Sequence, residues 1–170
     1  LKMAMDSFGI VGHAYRDGEC LDATNDDWYC YYLQGALDKD IIPKEMIENC
    51  NVTKVTKTLA EATDDKKAVT TDVNVYTGKF DGDKPITREE MAAIAVRCKN
   101  YKMRRLTDWD NERRYPIFSF KDSDEIDEKY ISDVVEAYNL NYIDGMEDGR
   151  FAPKENLTRA QAAVVMNNLK

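Results

Sequence analysis

The sequence has few of the residues on which most catalytic and metal sites depend. Its 170 residues include one histidine, His13, and four cysteines, none of which forms a Cys-x-x-Cys pair. A lone histidine in a connecting segment is more typical of a structural or solvated residue than of a catalytic base, and the cysteine spacing does not favour a zinc site. The sequence also lacks a nucleophile elbow and a phosphate-binding loop. We therefore predict no enzyme activity, no metal ion and no cofactor.

Two acidic runs, Asp108-x-Asp110 and Asp122-x-Asp124, resemble parts of a calcium loop. An EF-hand loop requires a central glycine and a closing glutamate, and neither run has the glycine. The four cysteines permit two disulfides in three connectivities, and in an exported protein the composition slightly favours one bridge.

Positive charge and long apolar runs are also scarce. The chain has 24 Lys and Arg against 32 Asp and Glu, a net charge of −8, which makes a polyanion such as nucleic acid a poor partner. No apolar run approaches the roughly 18–20 residues of a membrane span, so we expect no membrane insertion. The chain begins with Leu1 inside a helical pattern, and we interpret it as a fragment of a larger exported protein.

The C-terminal segment contains the signal of a helix start. Thr158 is followed three residues later by Gln161 and then by an Ala/Val-rich run, which is the pattern of a capping box. Arg159 occupies the first helical position, where the helix dipole disfavours a cation by roughly 0.3–1 kcal/mol. We therefore expect Arg159 to face a carboxylate of the fold or an anionic ligand.

The same signal occurs earlier in the chain. Phe80 precedes Thr87 by seven residues, as Phe151 precedes Thr158, and Arg88 stands where Arg159 stands in the later copy. Each copy continues into an apolar helix, and each has a second helix upstream, in residues 27–37 and 129–138. A repeat at this spacing indicates a duplicated unit.

An aromatic-x-Asp motif precedes each upstream helix. It is Tyr15-Arg16-Asp17 in the earlier copy and Phe120-Lys121-Asp122 in the later copy. The complete unit is an aromatic-x-Asp motif, a helix, an Ile/Gly turn, a Phe and a Thr-Arg helix. This order of motifs resembles the S-layer homology (SLH) domain. The resemblance divides the chain into a C-terminal remnant of a first repeat (1–14), a second repeat (15–102), a linker (103–117) and a third repeat (118–170).

The resemblance implies a mainly α fold, in which SLH repeats surround a pseudo-threefold helical bundle. The second repeat departs from the pattern, because an insertion at about 44–79 separates its two helices. Residues 52–57 and 69–76 of this insertion are rich in Val and Thr and partly alternating, which predicts an antiparallel β-hairpin.

The resemblance also implies a function. SLH domains hold exported proteins on the bacterial cell surface without a covalent bond, by binding a pyruvylated secondary cell-wall polysaccharide in grooves between repeats. An Arg side chain offers two donors to the pyruvyl carboxylate. The positions that match the family's groove residues are Thr87, Arg88, Thr158, Arg159, Asp17, Trp28, Asp122 and Gly149.

Two alternatives remain at this point. The first is a protein-interaction module for lateral assembly of a surface layer, and the second is an enzyme such as a wall hydrolase. A truncated first repeat would also leave an apolar stripe of the bundle exposed, including Leu33, Val134 and Tyr138. We expect such a stripe to be covered by further residues of the parent protein or by self-association.

Overall fold

The computed structural model describes residues 1–12, 21–24, 26–60, 67–104 and 120–169. Within these ranges the chain forms five α-helices and one two-stranded sheet. The elements, in order, are α1 (Lys2–Ser7), α2 (Cys30–Asp38), β1 (Glu48–Ala60), β2 (Val69–Lys79), α3 (Arg88–Arg104), α4 (Ile131–Asn139) and α5 (Arg159–Asn168). Short 3₁₀ helices cover Lys44–Met46, Ser123–Glu125 and Glu128–Tyr130.

The prediction of a mainly α fold with a pseudo-threefold helical bundle is wrong. The chain is a mixed α and β protein, whose strands of 13 and 11 residues are longer than every described helix except the 17-residue α3. The reason lies in the insertion, where β-branched Val and Thr residues favour extended backbone over a long stretch.

The predicted hairpin itself is confirmed. β1 and β2 pair antiparallel, with Val52 opposite Tyr76 and Val55 opposite Val73. Val73 and Tyr76 are buried, whereas Val52 and Val55 are each 40% exposed. The side chain of Gln34 in α2 donates to the main-chain carbonyl of β2 at position 74, 3.4 Å away. Strand β2 therefore fastens the hairpin to the helices, and β1 lies on the outside.

The upstream helices α2 and α4 share a length of nine residues and the same C-terminal geometry. Ile41 N–H donates to Ala36 O at 2.8 Å, and Tyr142 N–H donates to Ala137 O at 2.9 Å. The preceding residues, Asp40 and Asn141, have φ values of 58° and 57°. Asp and Asn tolerate this left-handed conformation better than most residues. The duplicated sequence therefore gives duplicated local structure.

The apolar stripe that was expected to be exposed is largely buried within the chain. Leu33 and Val134 have no solvent exposure, and Tyr138 is 37% exposed. Helix α3 lies at the centre of the core, and its residues 91–96 are all buried. The argument for self-association through that stripe therefore loses its basis. No helix in the described ranges is long and apolar enough to cross a membrane.

Shortening the hairpin tests how it is attached. Deleting residues 56–72 and joining Val55 to Val73 through an Asn-Gly turn should shift the melting temperature by less than about 4 °C, because most of the deleted side chains that the structure describes are exposed. Deleting residues 52–76 also removes the buried Val73 and Tyr76 and should lower it by at least about 6 °C. Thermal unfolding followed by circular dichroism measures both shifts. Equal losses would contradict attachment through β2.

Candidate ligand-binding site

Both predicted capping boxes are present. Thr87 N–H donates to Glu90 Oε2 at 2.9 Å, and Glu90 N–H donates to Thr87 Oγ1 at 3.3 Å. Thr158 and Gln161 exchange the same two hydrogen bonds, at 2.9 and 3.2 Å. In each box the threonine oxygen caps its own helix, so its role is to fix the helix start.

The start of α3 packs against the loop that precedes α5, and we call this contact the repeat joint. Arg88 N–H donates to Glu155 O at 3.0 Å, and Glu89 N–H donates to Pro153 O at 3.3 Å. The first N–H groups of a helix have no partner within the helix. In the repeat joint, carbonyl oxygens of the loop before α5 accept these hydrogen bonds.

The Arg88 side chain forms the centre of the repeat joint. It is 4% exposed, its Nε donates to Phe151 O at 2.7 Å, and its Nη2 donates to Asp144 O at 2.6 Å. Its guanidinium carbon also lies 5.1 Å from the centre of the Phe151 ring. Burial lowers the pKa of Arg88, and the charges of Glu155, Asp122 and Asp144 oppose that shift. The Nε and Nη2 groups of Arg88 are therefore hydrogen-bonded within the fold.

An ion-pair network closes one side of the joint. Lys154 Nζ lies 2.7 Å from Glu89 Oε1 and 2.6 Å from Asp127 Oδ1. Asp127 N–H also donates to Glu89 Oε2 at 3.1 Å. Glu89 is 3% exposed, and these partners supply the hydrogen bonds that a buried carboxylate requires.

Asp122 shapes the loop that receives Arg88. Its Oδ1 accepts from Phe151 N–H and its Oδ2 from Ala152 N–H, both at 2.8 Å. Asp122 is 6% exposed, so both carboxylate oxygens are used within the fold. The structure thus brings Asp122 and Arg88 to opposite sides of one peptide segment, with Asp122 binding the N–H of Phe151 and Arg88 binding its carbonyl.

The equivalent carboxylate of the earlier copy is Asp22, a residue that the sequence analysis missed. Its Oδ1 accepts from Phe80 N–H at 2.7 Å and its Oδ2 from Asp81 N–H at 3.0 Å. Although desolvation opposes it, these amide hydrogen bonds lower the pKa of Asp22. Asp17, the residue chosen from its aromatic-x-Asp motif, lies outside the described residues. The number of residues between the carboxylate and the following helix, compared between the two copies, would have favoured Asp22 over Asp17.

We call Thr158, Arg159 and Ala160 the α5 start, which is the counterpart of residues 87–89. All three residues are exposed. Within the described part of the chain, the Arg159 side chain has no hydrogen-bond or ion-pair partner, and the N–H groups of Arg159 and Ala160 have none either. No carboxylate among the described residues thus pairs with Arg159, which leaves the predicted anionic ligand as the alternative.

Trp28 lies apart from the repeat joint, beside the loop of the earlier copy. It is 73% exposed and meets Tyr29 edge to face, with 5.8 Å between ring centres. Tyr29 in turn packs against Phe80, with 6.3 Å between ring centres. The nearby Tyr31 is also exposed, at 44%.

Gly149 occupies a turn whose left-handed backbone glycine adopts without strain. Its φ is +87°, and an added Cβ would lie 3.3 Å from Lys121 Cε. Lys121 N–H donates to Gly149 O at 3.1 Å. Gly149 therefore fixes the path of the chain between the Asp122 motif and Phe151.

Among the described residues, no group of three or more His, Cys, Asp and Glu side chains could hold a metal ion. Cys50 and Cys98 are free thiols, and burial raises the pKa of Cys98 to about 12. Cys20 and most of the predicted linker (105–117) lie outside the described residues.

Comparison with protein families identifies the later copy. Residues 119–163, which contain Asp122, Gly149 and the α5 start, match the family model of the S-layer homology domain. This segment is an S-layer homology domain. Such domains are non-catalytic anchoring modules, and the match supports a cell-wall anchoring role at the cell surface.

Three relatives extend the similarity. The chain is 37% identical over 102 residues to an endoglucanase of Bacillus sp. (strain KSM-635) and 39% identical over 84 residues to an amylopullulanase of Thermoanaerobacterium thermosulfurigenes. It is 30% identical over 170 residues, 98% of the chain, to the exoglucanase XynX of Acetivibrio thermocellus. The matches cover 58%, 49% and 98% of this chain but 10%, 4% and 12% of the relatives. No solved structure matches the chain significantly.

The two arginines provide a matched pair for measuring the repeat joint. Arg88→Ala should lower the free energy of unfolding by about 3 kcal/mol or more, because it removes two charge-assisted hydrogen bonds and takes the Arg88 donor away from the buried carbonyl of Phe151. Arg159→Ala should change it by less than about 0.5 kcal/mol, as expected for an exposed side chain without partners. Urea unfolding of both variants gives the two values, and similar values would contradict the assignment of Arg88 as buried structure.

Proposed function

We propose that the chain anchors an exported protein to the bacterial cell wall by binding an acidic, pyruvylated polysaccharide at the α5 start. The SLH domain of residues 119–163 provides the anchoring class. We further propose that residues 15–102 form a second repeat of the same kind, since its helix ends, capping box and loop carboxylate repeat those of the later copy.

The observation that carries the proposal is the difference between Arg88 and Arg159. In the repeat joint, the Arg88 guanidinium and the N–H groups of Arg88 and Glu89 all donate to backbone oxygens. The same groups of the α5 start are exposed and have no acceptor among the described residues. The α5 start therefore presents exposed hydrogen-bond donors. In the repeat joint, the equivalent donors of Arg88 and Glu89 bind several oxygen atoms at once.

An acidic sugar has the chemistry to fill this set. The carboxylate of a pyruvyl ketal can accept two parallel hydrogen bonds from the planar guanidinium of Arg159. Backbone N–H groups at a helix start, together with the helix dipole, favour a negative charge at the same place. Thr158 contributes by capping the helix through Gln161, which holds these donors in position.

The remaining residues of the predicted groove take other roles in this proposal. Trp28 is exposed at a separate place, where its indole face could stack on a neutral sugar ring of the same polymer. Arg88 and Asp122 are buried and hydrogen-bonded within the fold, so we assign them to shaping the joint. Thr87 and Gly149 serve the same purpose, by capping α3 and by permitting the turn before Phe151.

Wall binding by Arg159 variants tests the proposal. Arg159→Ala should weaken binding to purified walls about ten- to a hundred-fold with little change in melting temperature, because charge-assisted contacts are worth roughly 1.5–3 kcal/mol. Arg159→Lys should lose nearly as much, since an ammonium group cannot reproduce the two-donor fork. Co-sedimentation with walls, before and after chemical removal of their polysaccharide, provides the measurement.

Lys54→Ala is a suitable control, because it removes the same charge from an exposed position on the hairpin. Its binding should remain within about two-fold of the unmodified chain, given how weak long-range surface charge effects are at physiological salt. An Arg159→Ala variant that loses stability but keeps its affinity would refute the carbohydrate-binding role of the α5 start.

A further inference from the structure

Among the residues that the structure describes, no third strand pairs with the outer side of β1. From Asn51 to Thr58 the register of β1 on β2 is unbroken, and irregularities lie before and after this stretch. The side chains of residues 51–56 and of Thr58 are exposed. A regular, exposed edge strand is a template for pairing with a further strand. We call residues 52–58 the hairpin edge.

The hairpin edge belongs to the insertion, so the repeat pattern supplies nothing to cover it. The later copy passes from Ile143 to Phe151 without a strand, and it therefore has no counterpart of β1. The opposite side of the sheet differs, because Leu21 N–H donates to Tyr76 O of β2 at 3.3 Å. The open side of the hairpin is thus the side of β1.

Charged and polar residues share one face of the hairpin. Lys54 and Thr56 lie on the same face because alternate residues of a strand do. Asp72 lies directly opposite Thr56 and belongs to that face as well. The Thr56 hydroxyl donates to Asp72 Oδ1 at 2.8 Å. This face therefore carries a cation near the edge and a carboxylate one strand further in.

We propose that two copies of the chain associate through their hairpin edges, which pair antiparallel with Val55 opposite Val55. In this register, Lys54 of each copy stands opposite Thr56 of the other, in one row with its Asp72. The Cα atoms of that Lys54 and Asp72 are two strand spacings apart, roughly 10 Å. The two side chains together span this distance. Since twofold symmetry repeats every contact, the pairing makes two Lys54–Asp72 ion pairs.

The remaining residues of the edge agree with this register. Val52 and Val55 are each 40% exposed, and pairing covers part of both side chains. Lys57 of each copy stands opposite Thr53, so no lysine faces a lysine. A shift that placed Lys54 opposite Lys54 would bring like charges together, which destabilises a strand pair. The edge lysines therefore select one register and disfavour that alternative.

The association is closed and weak. A twofold contact uses the same surface of both copies, so it ends at the dimer. Seven residues a side make a contact well below the usual size of a stable interface, and the net charge of −8 on each copy opposes it. A dimer would carry two α5 starts, so on the proposed function it would hold the wall at two points.

Sedimentation velocity between about 10 µM and 1 mM, the range of weak contacts, measures the association. The sedimentation coefficient of the unmodified chain should rise towards that of a dimer. Lys54→Glu and Asp72→Lys each change an exposed residue and replace two attractive pairs by two repulsive ones. Each variant alone should associate at least about ten-fold more weakly. Lys84→Glu makes the same charge change outside the hairpin and should behave like the unmodified chain.

An equimolar mixture of the two variants gives the decisive result. The glutamate introduced in one variant meets the lysine introduced in the other, and the unaltered Lys54 and Asp72 meet each other. The mixture should therefore form one-to-one dimers, although neither variant does so alone. Failure of the mixture to restore association would overturn the proposal, as would a monomeric unmodified chain at 1 mM.

The shortened hairpin described above, which lacks residues 56–72, provides a second check. It has lost most of the hairpin edge and should remain monomeric throughout the concentration range. Association that survives this deletion would place the contact elsewhere and refute the pairing. Wall binding is measured separately at about 1 µM, where so weak a contact is dissociated. Lys54→Ala therefore remains a valid control there, and failure of the hairpin pairing leaves the proposed polymer site untouched.

Discussion

The structure depends on one buried arginine. The Arg88 side chain joins two segments that are distant in sequence, the start of α3 and the loop around Phe151, by donating to main-chain oxygens of Asp144 and Phe151. Backbone carbonyls are good partners for a buried guanidinium, because they accept hydrogen bonds without adding a second desolvated charge. Around this contact, the Asp122 carboxylate fixes the loop and the capping box of α3 fixes the helix.

The later copy has an equivalent arginine and capping box at the start of α5, but that helix start is exposed. Arg159 begins its helix as Arg88 does, yet it lies in solvent without a partner in the described part of the chain. Because Arg159 has no partner in the described part of the fold, the binding role proposed for it would cost little stability. This is consistent with a cell-wall anchoring role.

Sequence reasoning succeeded where the signal was local. Capping boxes and the Val/Thr-rich hairpin are set by residues a few positions apart, so both could be predicted from the sequence. The fold class could not, because the length of the hairpin outweighed the helical pattern of the repeats. The burial of Arg88 was also hidden, since its acceptors are carbonyl oxygens 56 and 63 residues away, and carbonyls leave no trace in side-chain identity. Asp22 was missed because Asp17 belongs to an aromatic-x-Asp motif that resembles the family pattern. This motif was given more weight than the spacing between the carboxylate and the following helix.

Hydrogen exchange at the arginine Nε–H groups, observed by ¹⁵N NMR, tests the difference between Arg88 and Arg159 most directly. The Nε–H of Arg88 should exchange slowly, because it is buried and donates to Phe151 O at 2.7 Å. The Nε–H of Arg159 should exchange at the rate of a free arginine in the isolated chain at low concentration, and should become protected when cell-wall polysaccharide is added. Equal exchange rates for the two groups in the isolated chain would contradict the account of one closed and one open joint.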